Sequence, residues 1–239
     1  MRQRHESSAA EALWLAQGWL HAETLETLAE VNEQCLDLIR EQAAAACAAP
    51  QSGYAAHHGP LSGVRPAALL LELQGLWGEL DAPARRRAAR CPYLLVDAGF
   101  AEAARWTRVL ARQVHDEPRV RSASPFFTVP RAVSVMRLVV TYAWHLASSQ
   151  SAAARLLLGM SAACAELIGA CTLSQINQLA ESHVQWLAPR WPDRVAVWRE
   201  LLTTANSGED AALERIRMRG VQLLAADARG GGPMQAKLL

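Results

Sequence analysis

Lysine is nearly missing from these 239 residues: Lys237 is the single one, and every other cationic side chain outside the histidines is an arginine. Cations and anions almost cancel, with a formal net charge of +1, so the chain exerts no global pull on a polyanion and any nucleic-acid contact must be local. No CxxC pair occurs. Cys35, Cys47, Cys91, Cys164 and Cys171 are scattered, without histidines at metal-ligand spacing beside them. That spacing excludes a zinc knuckle or a disulfide framework and predicts buried thiols in a reducing, cytoplasmic compartment. No apolar run is long enough to cross a bilayer. The most apolar stretch, residues 138–147, is about ten residues long and contains His145, which predicts a soluble chain that does not enter the membrane. A secretory leader is not expected either, because the segment after the charged first residues carries Glu11 and helical periodicity.

Catalytic signatures are absent as well: there is no GxSxG, HExxH, Walker loop or dinucleotide glycine fingerprint. The best isolated acid, Asp97 beside Gly99, reads more simply as a helix-ending residue. The expectation is a protein that is not an enzyme and needs no cofactor or metal. His57-His58, in a Gly/Pro segment without a third ligand nearby, reads as plain surface.

What is abundant is alanine, leucine and arginine, good helix formers, with glycine and proline gathered at the ends of periodic stretches. The expected fold class is all-α, a multi-helical bundle. Residues 1–49 form an N-terminal helix or helical hairpin, with apolar positions Leu25, Leu28, Val31, Cys35 and Leu38 at helical spacing. Residues 50–66 form a linker, 67–130 a helical region of unknown role, 131–229 a second helical domain, and 230–239 a disordered tail. Arg85, Arg86, Arg87 and Arg90 read as a solvated helix face.

In the second half, short helices near 150–158, 162–169 and 174–183 are separated by turn signals, with Gly159 and Gly169 as the structural turn residues and Ser161 and Thr172 or Ser174 as N-caps. Short helix, glycine turn, short helix is the layout of a helix-turn-helix corner. The helix after Gly159, however, offers no Arg, Lys, Asn or Gln to a base edge, and its one charge, Glu166, is repelled by phosphate.

Leu158, Gly159, Gly169, Ala170, Thr172, Leu173, Gln175, Leu179, Ala180 and Glu181 fall without a gap on a Leu-Gly-Met turn, a Gly-Ala-x-Thr-Leu-x-Gln element and a Leu-Ala-Glu helix. At these positions residues 135–225 resemble the FlhD family, with a weaker likeness at Leu213, Ile216, Gly220, Val221 and Leu223. The resemblance implies a homodimeric, all-α subunit of a bacterial transcriptional activator, which binds promoter DNA together with an FlhC-like protein partner. The first 130 residues are additional to that pattern.

A last cluster joins aromatics to base. Trp186, Trp191 and Trp198 alternate with Arg190, Arg194 and Arg199, an arrangement that suits contact of the arginines with DNA phosphates and of the tryptophans with a core or a protein interface. Asp193 and Glu200 offset part of that charge. The alternative function is a helical protein-protein adaptor or secretion-related chaperone that does not touch DNA.

Overall fold

A computed structural model describes residues 22–48, 66–115 and 126–230. It contains eleven α-helices among these residues, so the expected all-α class holds: α1 (Ala22–Ala48), α2 (Pro66–Glu72), α3 (Gln74–Glu79), α4 (Ala82–Ala89), α5 (Ala103–His115), α6 (Arg131–Ser149), α7 (Ser151–Leu158), α8 (Ala162–Gly169), α9 (Leu173–Ser182), α10 (Val195–Ser207) and α11 (Asp210–Gly230). Two residue pairs, β1 (Val96–Asp97) and β2 (Ala188–Pro189), form an antiparallel bridge in register Val96 to Pro189. Residues 1–21 of the expected N-terminal hairpin, 50–65 of the expected linker 50–66, with His57 and His58, and 231–239 of the expected tail 230–239 lie outside the described residues, while Pro66 and Gly230 belong to α2 and α11.

Local chemistry explains the helix starts. Asp81 accepts the Ala84 N–H at 2.7 Å ahead of α4, Ser161 accepts that of Cys164 ahead of α8, and Thr172 and Gln175 form a reciprocal capping box at the start of α9. The stop after α7 is Gly159 at φ 67°, and the stop after α10 is Gly208 at φ 75°.

α6 is the central rod. It packs on α7, α8 and α9 on one side and on α1 on the other, while α1 also carries α2, α3 and α4, and α10 bridges α4 to α11. One hydrophobic core runs from Leu28 to Leu224. The division expected between 67–130 and 131–229 is therefore not a division of the core. Polar contacts also cross it: Arg131 Nη2 donates to Gln34 Oε1 at 2.7 Å, Tyr142 Oη donates to the Thr24 carbonyl at 3.0 Å, and Arg87 donates to the Ala205 carbonyl. A Ser/Pro-rich stretch reports where regular helix is interrupted and not which elements share a core.

The segment between α4 and α5 has no helix to satisfy its backbone, and buried side chains do so, Asn32 at its start. Asn32 Nδ2 donates to the carbonyls of Ala89 and Tyr93 at 3.0 Å and of Cys91 at 3.3 Å, while its Oδ1 accepts the Leu95 N–H at 2.9 Å. From there the Leu94 N–H reaches the Leu157 carbonyl on α7, and the Ser161 N–H returns to the Phe100 carbonyl. The stretch 91–100 thus forms the bed on which the α7–α8 corner rests.

Candidate functional site

The corner turns at Gly159 as expected. A Cβ there would stand 2.8 Å from Leu224 Cδ1 and 3.2 Å from Arg190 Nη1, so glycine is required by both conformation and space. Gly169 plays a different part from the one expected. It is the last residue of α8 and not a left-handed stop, and its missing Cβ lets α8 approach the Ala147 backbone, which that atom would meet at 3.1 Å. Past it, residues 170–172 turn the chain into α9, so a second short-helix, turn, short-helix unit lies one helix further along. On α8 the exposed side chains are Ala162, Ala163 and Glu166; on α9 they are Leu173, Ser174, Gln178 and Glu181, with Gln175 and Asn177 half-buried. Leu173 is 51% exposed.

The Trp and Arg residues of 186–199 are placed very differently from one another. Arg190 is 8% exposed, and its side chain is a structural post: Nε donates to the Leu94 carbonyl at 2.7 Å, and Nη2 donates to the carbonyls of Val96 and Leu158 at 3.1 and 2.9 Å. Burial pulls this guanidinium below its usual range, with Asp97, Tyr93 and Asp227 acting in the opposite direction. The expected phosphate contact at Arg190 is thereby corrected: a cation whose donors hold three main-chain carbonyls inside the core cannot reach a phosphate. Arg194 and Arg199 stay on the surface, 40% and 54% exposed, paired with Asp227 at 3.2 Å and Glu72 at 3.5 Å.

All three tryptophans are buried within the chain itself, which bears out their reading as core anchors and corrects their expected place at an interface with another protein. Trp198 Nε1 donates to the Arg190 carbonyl at 2.8 Å and its ring lies 5.7 Å from that of Trp77. Trp186 meets Trp106 edge-on at 5.4 Å, has His183 at 4.4 Å, and is covered by the Arg105 guanidinium at 4.8 Å. Trp191 is the one non-glycine residue with positive φ among those described, at 52°. A left-handed backbone costs a residue with a Cβ about 1–2 kcal/mol, and here Tyr93 at 5.5 Å and a hydrogen bond from its indole to Asp227 hold it in place.

Around these residues opens a half-open cleft of about 370 Å³, bounded by the start of α5, the 186–192 segment and the last turns of α11. Asp97 lines it but ends no helix: it lies in β1, and its Oδ1 accepts the Phe100 N–H at 3.3 Å. Composition alone gave no signal for this cleft, because its walls come from segments as far apart in sequence as Asp97 and Ala228.

No family model, curated protein or solved structure matches this chain.

Among the described residues no group of three or more His, Cys, Asp or Glu side chains is placed to hold a metal ion, and no helix is long and apolar enough to cross a membrane. All five cysteines are free. Four are buried and Cys47 is partly exposed.

Proposed function

We propose that this chain is a cytoplasmic, FlhD-like subunit of a bacterial transcription-activating complex, which forms a homodimer and reaches promoter DNA together with an FlhC-like protein partner. One observation supports the reading above the others: the family-like motif coincides with two consecutive capped short helices, α8 and α9, whose outer face carries Ser174, Asn177 and Gln178. Amide side chains of this kind can pair bidentately with adenine in the major groove. In this reading α9 presents side chains to bases, whereas α8, with Ala162, Ala163 and Glu166 outward, supports it.

The same surface argues for a partner. α9 carries no arginine, and its Glu181 is paired with Arg137 at 2.8 Å, so this chain brings little of the phosphate contact on which affinity depends. Arg194 and Arg199 are the exposed cations of the Trp and Arg cluster that remain available for it, each at the cost of releasing an acid.

The test is fluorescence anisotropy of a labelled promoter fragment with the chain alone and with the co-expressed partner, at several salt concentrations. The complex should bind in a salt-dependent way, Arg194→Ala and Arg199→Ala should each lower the salt slope by about one, and Gln178→Ala should reduce discrimination between promoter and scrambled DNA. Tight, specific binding by the isolated chain would sink the partner-dependent model. A complex that forms yet ignores DNA would make the chain a protein-protein adaptor.

A further inference from the structure

We propose that the cleft between α5, the 186–192 segment and α11 is a binding site for a small aromatic carboxylate. This goes beyond the DNA-associated reading and stands or falls without it.

The floor of the cleft is a buried cation with one edge open. Nε and Nη2 of Arg190 are engaged by Leu94, Val96 and Leu158, but Nη1 has no hydrogen-bond acceptor among the described residues. Asp97 Oδ1 pairs with Nη2 at 3.9 Å, within ion-pair range but too far for a hydrogen bond, and this contact leaves Nη1 without an acceptor. Gly159 is what leaves that edge uncovered, since a Cβ at this position would lie 3.2 Å from Nη1. A guanidinium in a low-dielectric setting with unused N–H donors favours a carboxylate above a neutral acceptor.

The acids on the walls do not fill this role, because each is already engaged. Glu102 pairs with Arg105 at 3.2 Å, Asp227 accepts from Trp191 and Arg194, and Asp97 accepts the Phe100 N–H. Asp97, Glu102 and Asp227 line the cleft with Arg105 and Arg190, and Arg194, outside the lining, neutralises Asp227 at 3.2 Å, so a monoanion meets no net negative charge there. The rest of the lining is apolar, from Trp186 and Trp191 to Leu224 and Pro192. Ligand pockets span roughly 300–1,000 Å³, and 370 Å³ is at the small end of that range, which suits one ring. The ligand's carboxylate would accept from Arg190 Nη1 and its ring would lie between the α5 and α11 walls.

The probe is benzoate, with benzyl alcohol as its uncharged counterpart, titrated into the full chain by calorimetry and by thermal melts. A ligand this small should bind with a Kd on the order of 1 mM and, at ten times Kd, raise Tm by about 3–6 °C. Benzyl alcohol should bind at least about tenfold more weakly, the loss of one charge-assisted pair. Ala101 and Ala228 line the cleft from exposed positions, so Ala101→Phe and Ala228→Phe fill it without entering the core, and both should abolish the benzoate response while leaving the ligand-free Tm unchanged. No saturable response to benzoate, equal binding of benzyl alcohol, or full binding by both filled variants would each overturn the proposal.

Discussion

Trp191 Nε1 donates to Asp227 Oδ2 at 2.6 Å, and the same carboxylate takes Arg194 at 3.2 Å on its other oxygen. One acid near the end of α11 therefore anchors that helix to the 186–192 segment and holds a tryptophan in a backbone conformation it would otherwise leave. Asp227→Ala should lower stability by about 1–2 kcal/mol, toward the low end for hydrogen bonds to a charged group because the site is partly exposed. Asp227→Asn, which keeps an acceptor for the indole, should lose less. Urea melts followed by tryptophan fluorescence check both, and equal midpoints for wild type and Asp227→Ala would mean that the packing of Tyr93 alone holds Trp191.

At Gly159 two costs coincide. A side chain must adopt φ 67° and must also displace Leu224 Cδ1, which its Cβ would meet at 2.8 Å. Gly159→Val should therefore cost about 2–5 kcal/mol, combining left-handed strain with overpacking. In a Leu224→Ala background the packing cost set by Leu224 should vanish while the conformational cost and the 3.2 Å approach to Arg190 Nη1 persist, so a double-mutant cycle by chemical denaturation isolates the Leu224 part. Additive costs would show that Leu224 yields freely.

Gly220 lies inside α11, where alanine would normally be favoured by about 1 kcal/mol. Here its Cβ would fall within the van der Waals envelope of Tyr93 Oη, Cζ and Cε1, and Tyr93 is fully buried. Gly220→Ala should reverse the propensity and destabilise by about 1–3 kcal/mol, the usual range for overpacking. Paired with Tyr93→Ala, a cavity-forming change that is costly by itself, the loss should be smaller than the sum of the two by at least about 1 kcal/mol. A stabilising Gly220→Ala would mean that α11 shifts away from Tyr93 at no cost.

Burial pushes the Cys91 thiol up to about 11 and that of Cys164 up to about 12, and it raises Cys35 and Cys171 as well. In each case the neutral thiol is the form the core accepts. Well below pH 9 both folded and unfolded chains keep these protons and stability does not respond. Above it the unfolded chain releases them first, so stability should fall as pH rises from 9 toward 11, by as much as about 1.4 kcal/mol per pH unit for each such thiol. Denaturation midpoints at pH 8 and pH 10.5 test this, with Cys91→Ala expected to flatten the slope. A thiol reagent at pH 8 should modify Cys47 well before the other four.

Much of the helical outline was legible because its signals are local. The periodicity of 131–149, the Ser161 and Thr172 caps and the Gly159 stop each act within one or two turns of chain, and the helices expected there lie within a few residues of those observed. Expectations failed where partners are far apart in sequence. The alternation of Trp and Arg in 186–199 suggested phosphate contact for all three arginines, yet Arg190 points inward with the three tryptophans, since most of their acceptors and neighbours lie on 77–106, 158 and 227. Asn32, the clamp of the 89–95 segment, had no sequence signal at all: an asparagine among helix positions looks like any polar surface residue until its neighbours are known.

The sequence by itself determined the helical class, the main starts and stops, the scatter of thiols without metal-ligand spacing and the absence of a long apolar span, because these depend on composition and on spacings of a few residues. Tertiary structure alone decided which arginine is buried, that one core joins both sides of the 116–130 connection, and that a cleft opens above Arg190. Those outcomes depend on desolvation and on main-chain carbonyls brought in from distant segments, and the same side chain is a surface cation or an internal post according to what folds around it.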